Sequence, residues 1–169
     1  MTPDGLQLEV VERSSLGAGG RREIVELCSD ALSSDCRGLF GFLPDDSTHV
    51  RGLLNGRLVG HACWATRRLM SDGHDALTTA WIDTVVVAPD LQRRGVGTAV
   101  LRRIAEQTLG FELRALGTEQ MSFFERLGWE RWRGTTSDVL HDPLDTLMVL
   151  RSATTPADLD LGAPISGGY

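Results

Sequence analysis

A chain of 169 residues suits one domain with a full core and is short for two. Its 41% apolar and 24% charged residues are those of an ordinary globular protein, and no apolar run nears the roughly 18 residues of a membrane span. The net charge of −6, with no Lys anywhere, argues against nucleic acid as a partner and suits a cationic substrate. It also excludes lysine Schiff-base chemistry and a Walker-type phosphate lysine.

Cys28, Cys36 and Cys63 are odd in number and lack CxxC spacing, so neither a disulfide framework nor a zinc site is expected. The opening MTPDGLQLEV lacks the basic-then-apolar pattern of a signal peptide. A reducing, cytoplasmic setting is the expectation, with no membrane partner.

Leu6 to Glu12 alternates weakly and predicts a first strand, followed by a polar, Gly-rich connection over 14–20. From Arg21, apolar residues at Ile24, Leu27, Cys28, Ala31 and Leu32 trace one helical face. Residues 33–48 read as a short helix or an ordered loop. His49–Leu54 and Arg57–Leu69 flank Asn55-Gly56, which predicts a hairpin with a tight turn. Ser71-Asp72-Gly73 predicts a turn before the strand Ala76–Val87, which Pro89 ends. A helix over about Gly97–Leu109, a strand over Phe111–Leu116 and a helix over Gly117–Leu127 follow. Trp129–Val139 and Thr146–Arg151 read as a terminal strand pair. The domain is expected to span 1–151, and 152–169, rich in Pro, Gly, Asp and Thr, to be a flexible tail or a cover over the acceptor site. The order predicts an α/β or α+β three-layer domain with a mixed sheet.

The chain is organised around Ile82–Gln107, a strand, a short turn, the arm Gln92-Arg93-Arg94-Gly95-Val96-Gly97-Thr98, and a helix. Glycines let the backbone approach a ligand, and the helix start offers free N–H groups and a positive dipole end to a phosphate. The arm matches neither G-x-G-x-x-G nor G-x-x-x-x-G-K-[ST], so nicotinamide and nucleoside triphosphate fingerprints both fail.

Its form, Gln-x-x-Gly-x-Gly after a Val-x-Val strand, resembles motif A of the GNAT acetyltransferases, and Phe123-Phe124-Glu125-Arg126-Leu127-Gly128-Trp129 resembles the same family's helix-then-Gly-aromatic motif. The resemblance implies acetyl-CoA as donor and a mixed, mostly antiparallel sheet flanked by helices and splayed at the acetyl-CoA site. Carried over by position, the backbone of Val85, Val86 and Val87 binds pantetheine, and Gln92, Arg93, Arg94, Gly95, Val96, Gly97 and Thr98 form the pyrophosphate arm. The family is often dimeric, so a homodimer is an expectation.

Within GNATs, the chain from about His49 to Leu150 is similar to the aminoglycoside 2′-N-acetyltransferases. The similarity is carried by Arg57-Leu58-Val59-Gly60-His61-Ala62, Trp81-Ile82-Asp83-Thr84-Val85-Val86-Val87 and Leu127-Gly128-Trp129-Glu130-Arg131-Trp132-Arg133-Gly134, among other stretches. It implies resistance by acetylation of a 2′-amine on a cationic amino sugar, in direct transfer within a ternary complex. Asp83 matches a carboxylate acting as base through water, and strand alternation puts it on the face of Val85 and Val87. Asp35, Trp81, Asp142, Asp145 and the carboxylate of Tyr169 are the acceptor-side candidates. Where the family carries a Tyr that protonates the thiolate, this chain has Phe124, which cannot donate. Phe40 stands where an acidic residue is expected, so the acceptor carries fewer amines, as in kasugamycin-like sugars. His61 and Cys63 are ligand types two positions apart, yet no third ligand is spaced to complete a site, so no metal is expected. Arg67 and Arg68 are read as facing solvent or ligand. The rival readings are a GNAT acting on another metabolite amine or a peptide N-terminus, and a catalytically weak acyl-CoA-binding sensor.

Overall fold

Asn55 (φ 51°) and Gly56 (φ 77°) are both left-handed, the backbone that a two-residue hairpin turn requires. They join β2 (Thr48–Leu54) to β3 (Arg57–Ser71) in the computed structural model, which describes residues 2–168. The chain forms two compact units, Met1–Ala65 with Asp83–Gln107, and Thr66–Ile82 with Thr108–Tyr169. Two strands, β3 and β4 (Leu77–Val87), run from one unit into the other.

In the first unit, β1 (Gln7–Glu12) lies antiparallel to β2 from Gln7 opposite Leu53 to Glu12 opposite Thr48. The antiparallel β2–β3 ladder shifts register between Gly52 and Leu53, so His49 stands opposite Cys63. Helix α1 (Gly17–Leu32) starts earlier than its apolar pattern suggests, recruiting Gly17, Gly19 and Gly20 into its first turn. It buries Ile24, Leu27 and Cys28, the i, i+3, i+4 set of one face. A single turn, α2 (Leu39–Phe42), follows. Helix α3 (Val96–Gln107) buries Val96, Val100, Leu101 and Ile104. Its start comes close to β3 because residue 60 is Gly: a Cβ there would stand 2.6 Å from Val96 Cγ1.

In the second unit, β5 (Leu113–Thr118) runs parallel to β4 at Thr79–Trp81 and antiparallel to β8 (Thr146–Arg151) along its whole length. That pairing holds Gly117 and Thr118 in the strand, so the following helix, α4, is only Met121–Glu125. The expected long strand over 129–139 is instead two short bridges, β6 (Glu130–Arg131) against β8 and β7 (Thr136–Ser137) against β9 (Ile165–Gly168). Between them, Arg133 and Gly134 turn to donate their N–H groups to the Leu161 carbonyl. Segment 152–168 is integral to this unit: β9 also pairs antiparallel with β3, and Leu159, Leu161 and Ile165 join Leu69, Trp81 and Trp132 in the core. Few but well-placed apolar residues are hidden there among the Pro, Gly and Asp that read as a tail. The sheet is therefore mixed and mostly antiparallel, with flanking helices, as expected. No helix among the described residues is long and apolar enough to cross a membrane.

Candidate active site

The N–H of Ala88 donates to the Val59 carbonyl at 2.8 Å, anchoring the end of β4, and Gln92 Nε2 reaches back to the Val87 carbonyl at 3.3 Å. A bidentate pair of Arg57 with Asp90, at 2.8 and 2.9 Å, braces the turn between them. Arg93 (φ 62°) and Gly95 (φ 80°) are left-handed, with Arg94 between them. Such alternation gathers successive N–H groups into a concavity that accepts an anion. The Ala99 N–H bonds the Gly95 carbonyl at 3.0 Å, so the N–H groups of Val96, Gly97 and Thr98 precede the first intrahelical donor of α3. Arg93 and Arg94 stay exposed beside them. A cradle of this kind suits a pyrophosphate, the group that the resemblance assigns to it, and it lies wholly within the first unit. Gly95→Val places a β-branched residue at φ 80°, a cost of about 1–2 kcal/mol. Titration calorimetry is expected to register acetyl-CoA binding weakened about tenfold.

Asp83 is half-buried, and the residue after it is unusual. Thr84 sits at φ 52° in the middle of β4, a conformation costing a β-branched residue roughly 1–3 kcal/mol. This break interrupts the strand alternation that set Asp83 on the face of Val85 and Val87. The β3 residues beside it answer Thr84: His61 Nδ1 lies 3.1 Å from its carbonyl and 3.2 Å from its Oγ1, and Cys63 Sγ lies 3.4 Å from Oγ1. The Cys63 thiol donates to the Asp83 carbonyl at 3.7 Å. Burial pushes that thiol up to about 12, with the Asp83 charge adding and the Thr84 bond opposing, so it stays protonated and offers no nucleophile.

Sequence reasoning placed His49 within reach of a substrate cleft and missed its pairing with His61. His49 lies fully buried with Nδ1 2.8 Å from His61 Nε2 and Nε2 3.0 Å from Ser47 Oγ. His49, His61 and Cys63 offer atoms within 4.8 Å of one another, so the third ligand-type residue absent by spacing exists in space. Counting back from the Asn-Gly turn would have placed His49 opposite Ala62; the shift at Gly52 sets it opposite Cys63. Burial depresses both imidazole pKa values, with the cations Arg13, Arg21 and Arg51 adding at His49. Unfolded imidazoles take up a proton below about 6.5 while these folded ones resist it. Stability is therefore full above that pH and is lost as pH falls through it, by about 2 kcal/mol for each fully buried histidine between pH 7 and 5. The exposed His141 shifts the same way, by partial desolvation and then the Arg67 charge. Carboxylates lowered by ion pairs, such as Asp90 and Glu125, lose their contribution only below about pH 4. A melting-temperature series from pH 7 to 5 checks the histidine share.

In the second unit, Trp81 is 2% exposed, its indole Nε1 has no hydrogen-bond partner among the described residues, and the Arg67 guanidinium lies 4.4 Å from its ring centre. Arg67 is buried rather than facing solvent or ligand: it donates to the Val139 and Asp138 carbonyls at 2.8 and 2.9 Å. His141 meets Trp81 edge-on at 6.4 Å. In the loop that follows, Asp142 is exposed and caps the Leu144 N–H at 2.9 Å. Asp145 is half-buried against Gly117, whose Cβ would stand 3.0 Å from Oδ2. Burial, then the charges of Asp142 and Glu119, raise its carboxyl pKa. Phe124 is buried, edge-on to Phe123 and Trp129.

Asp35, in the first unit, is exposed and ion-paired to Arg37 at 2.7 Å, whose hydrogen bonds hold its carboxyl down at about 2. Phe40 stacks on His49 at 5.7 Å and takes the Arg13 and Arg21 cations on its ring. The Tyr169 assignment lies outside the described residues.

Residues 21–129 match the acetyltransferase (GNAT) family, covering the arm, its strand and the Gly-Trp motif. Among solved structures, the chain is similar to Escherichia coli ElaA (TM-score 0.62, 18% identity, 85% of this chain and 98% of that one). It is likewise similar to the ribosomal-protein-S18-alanine N-acetyltransferase of Escherichia coli (0.62, 16%, 91% and 99%) and to Eis1 of Mycobacterium abscessus (0.61, 19%, 77% of this chain). The chain spans about a third of Eis1, 31% of its length. With the cradle in place and most of the chain matched, the protein belongs to the GNAT acetyltransferases, which use acetyl-CoA as acyl donor.

Proposed function

We propose that this acetyltransferase acetylates an amino group, the 2′-amine, of an aminoglycoside-type cationic sugar, with kasugamycin-like compounds as the candidate class. The observation that carries the reading is the half-buried Asp83, set immediately beside the Thr84 break and two residues before the strand segment assigned to pantetheine. Bound acetyl-CoA supplies an activated acetyl thioester. The arm of residues 92–98 holds it through backbone N–H groups, and the backbone of 85–87 orients its pantetheine. Asp83 takes, through water, the proton that an ammonium substrate must lose before it can attack. Cys28 and Cys63, both pushed up to about 12 by burial, favour direct transfer over a cysteine-bound acetyl group.

Acceptor recognition rests on Asp142, Asp145 and Trp81, with Tyr169 assigned by resemblance. A raised pKa at Asp145 means its charge is underused without a cation, and an ammonium group would restore it. Asp35 contributes only by exchanging Arg37 for the substrate. Phe124 leaves water as the proton source for the departing thiolate.

Thiol release measured over a panel of amines tests the reading. Turnover with an aminoglycoside supports it, and turnover confined to other metabolite amines or peptide N-termini replaces it. Acetyl-CoA binding without turnover would favour a sensor, the reading that Phe124 supports.

A further inference from the structure

The strained Thr84 break has its own support, built from residues with no part in the proposed chemistry. Two Thr84 oxygens face His61 Nδ1, the carbonyl at 3.1 Å and Oγ1 at 3.2 Å; the carbonyl can only accept and the hydroxyl can accept as well, so a proton on Nδ1 is the arrangement that satisfies both. In a neutral imidazole that leaves Nε2 as acceptor, and the His49 Nδ1 at 2.8 Å must donate to it. His49 Nε2 is then an acceptor in turn, and the Ser47 hydroxyl, 3.0 Å away, donates. One carbonyl thus fixes the tautomer of two rings and the direction of three hydrogen bonds. Ser47, His49 and His61 are all 1% exposed or less, and Phe40 stacks on the His49 ring. Neither ring can swing away without leaving buried polar atoms unpaired.

The peptide plane transmits this. In a trans peptide the carbonyl and the following N–H point in opposite directions, so pinning the Thr84 carbonyl toward His61 turns the Val85 N–H away from it. The preceding carbonyl, that of Asp83, accepts from Cys63 at 3.7 Å. Both peptides flanking Thr84 are therefore held from β3.

We propose that His61, backed by His49 and Ser47, is a positioning residue that clamps the Thr84 break and so sets Asp83 and the Val85 backbone for acetyl transfer. The proposal rests on the acetyltransfer roles given above to Asp83 and Val85; the clamp itself is a statement about rings and peptides.

Two measurements test it. The first is long-range proton–nitrogen correlation on the nitrogen-labelled protein, which needs no substrate. Both rings are expected to carry the proton on Nδ1 with a bare Nε2. A proton on His61 Nε2, or stoichiometric zinc in the purified protein with both rings ligated, would overturn the clamp. The second is a kinetic cycle with whichever amine the panel shows to turn over. His61→Leu removes the donor and is expected to lower kcat about 10- to 100-fold, with acetyl-CoA affinity changed little. His61→Asn, which puts an amide donor near the Nδ1 position, should recover most of that loss. Thr84→Gly takes the left-handed conformation freely, so adding His61→Leu to it should cost no more than about twofold. Equal losses in Leu and Asn, or an undiminished loss in the Gly background, would reject the clamp. If His61→Leu does not fold, the tautomers still decide. Failure of the function reading appears separately, as wild-type protein that turns over no amine while the tautomers stand.

Discussion

Asp83→Asn is expected to lower kcat near neutral pH by about 10²- to 10³-fold, the lower part of the range for loss of a general base. The substitution keeps the shape of the side chain and can still hold a water molecule, but the amide takes no proton. Acetyl-CoA affinity should stay within about twofold, because the arm that holds the pyrophosphate begins beyond Pro89 and is braced by Arg57 and Asp90. The pH profile separates a base from a mere positioner. Wild-type rate should level off above the pKa of Asp83, whereas the variant should keep climbing toward the pKa of the amine, where substrate arrives already deprotonated. A variant as fast as wild type at neutral pH would remove Asp83 from the proton path. A uniform loss at every pH would leave it a structural role beside Thr84.

How legible such a residue was depended on the range of the interactions around it. The arm could be read because its determinants are local: glycine tolerance at residue 95, a helix start, and a turn opened by Pro89. The Asn55-Gly56 hairpin was legible for the same reason, since only left-handed residues make that turn. Thr84 was not, because nothing in a Thr-Val-Val-Val run signals a left-handed residue; the groups that answer the break, His61 and Cys63, come from a neighbouring strand distant in sequence. The pairing of His49 with His61 was missed through one shifted register at Gly52, which strand counting cannot foresee. Arg67 was misread because arginines are seldom fully buried, and two backbone carbonyls and an indole face, all distant in sequence, make its burial tolerable. The same distance hid the start of α1, where Gly17, Gly19 and Gly20 argue for a loop and the burial of Ile24, Leu27 and Cys28 overrides them.

Gly134→Ala is the substitution expected to cost the fold most. A Cβ at residue 134 would lie 1.9 Å from the Ala163 carbonyl oxygen, 2.5 Å from its carbon and 2.8 Å from the Gly162 oxygen. All three are backbone atoms, so no rotamer change relieves the overlap. The segments cannot separate cheaply either, because four hydrogen bonds lace them: Arg133 and Gly134 N–H to the Leu161 carbonyl, Trp132 Nε1 to the Ala163 carbonyl, and Ile165 N–H to the Thr135 carbonyl. Moving them apart by enough to admit a methyl group breaks several of these bonds and loosens Trp132, Leu161 and Ile165 in the core. Overpacking ordinarily costs 1–3 kcal/mol; with backbone on both sides, about 3 kcal/mol or more is expected, a fall in melting temperature of roughly 6–12 °C. Gly110→Ala is the control, since a Cβ there would meet no described residue within 4 Å beyond its chain neighbours, and it should leave the melting temperature unchanged. The damage should also be selective. Residues beyond 134 lead to Asp138 and Val139, whose carbonyls hold Arg67 against Trp81, so KM for the acceptor should rise while acetyl-CoA affinity, set in the other unit, changes little. A variant as stable as the control would mean that 161–165 yields freely, and the integral place of that segment in the second unit would fall with it.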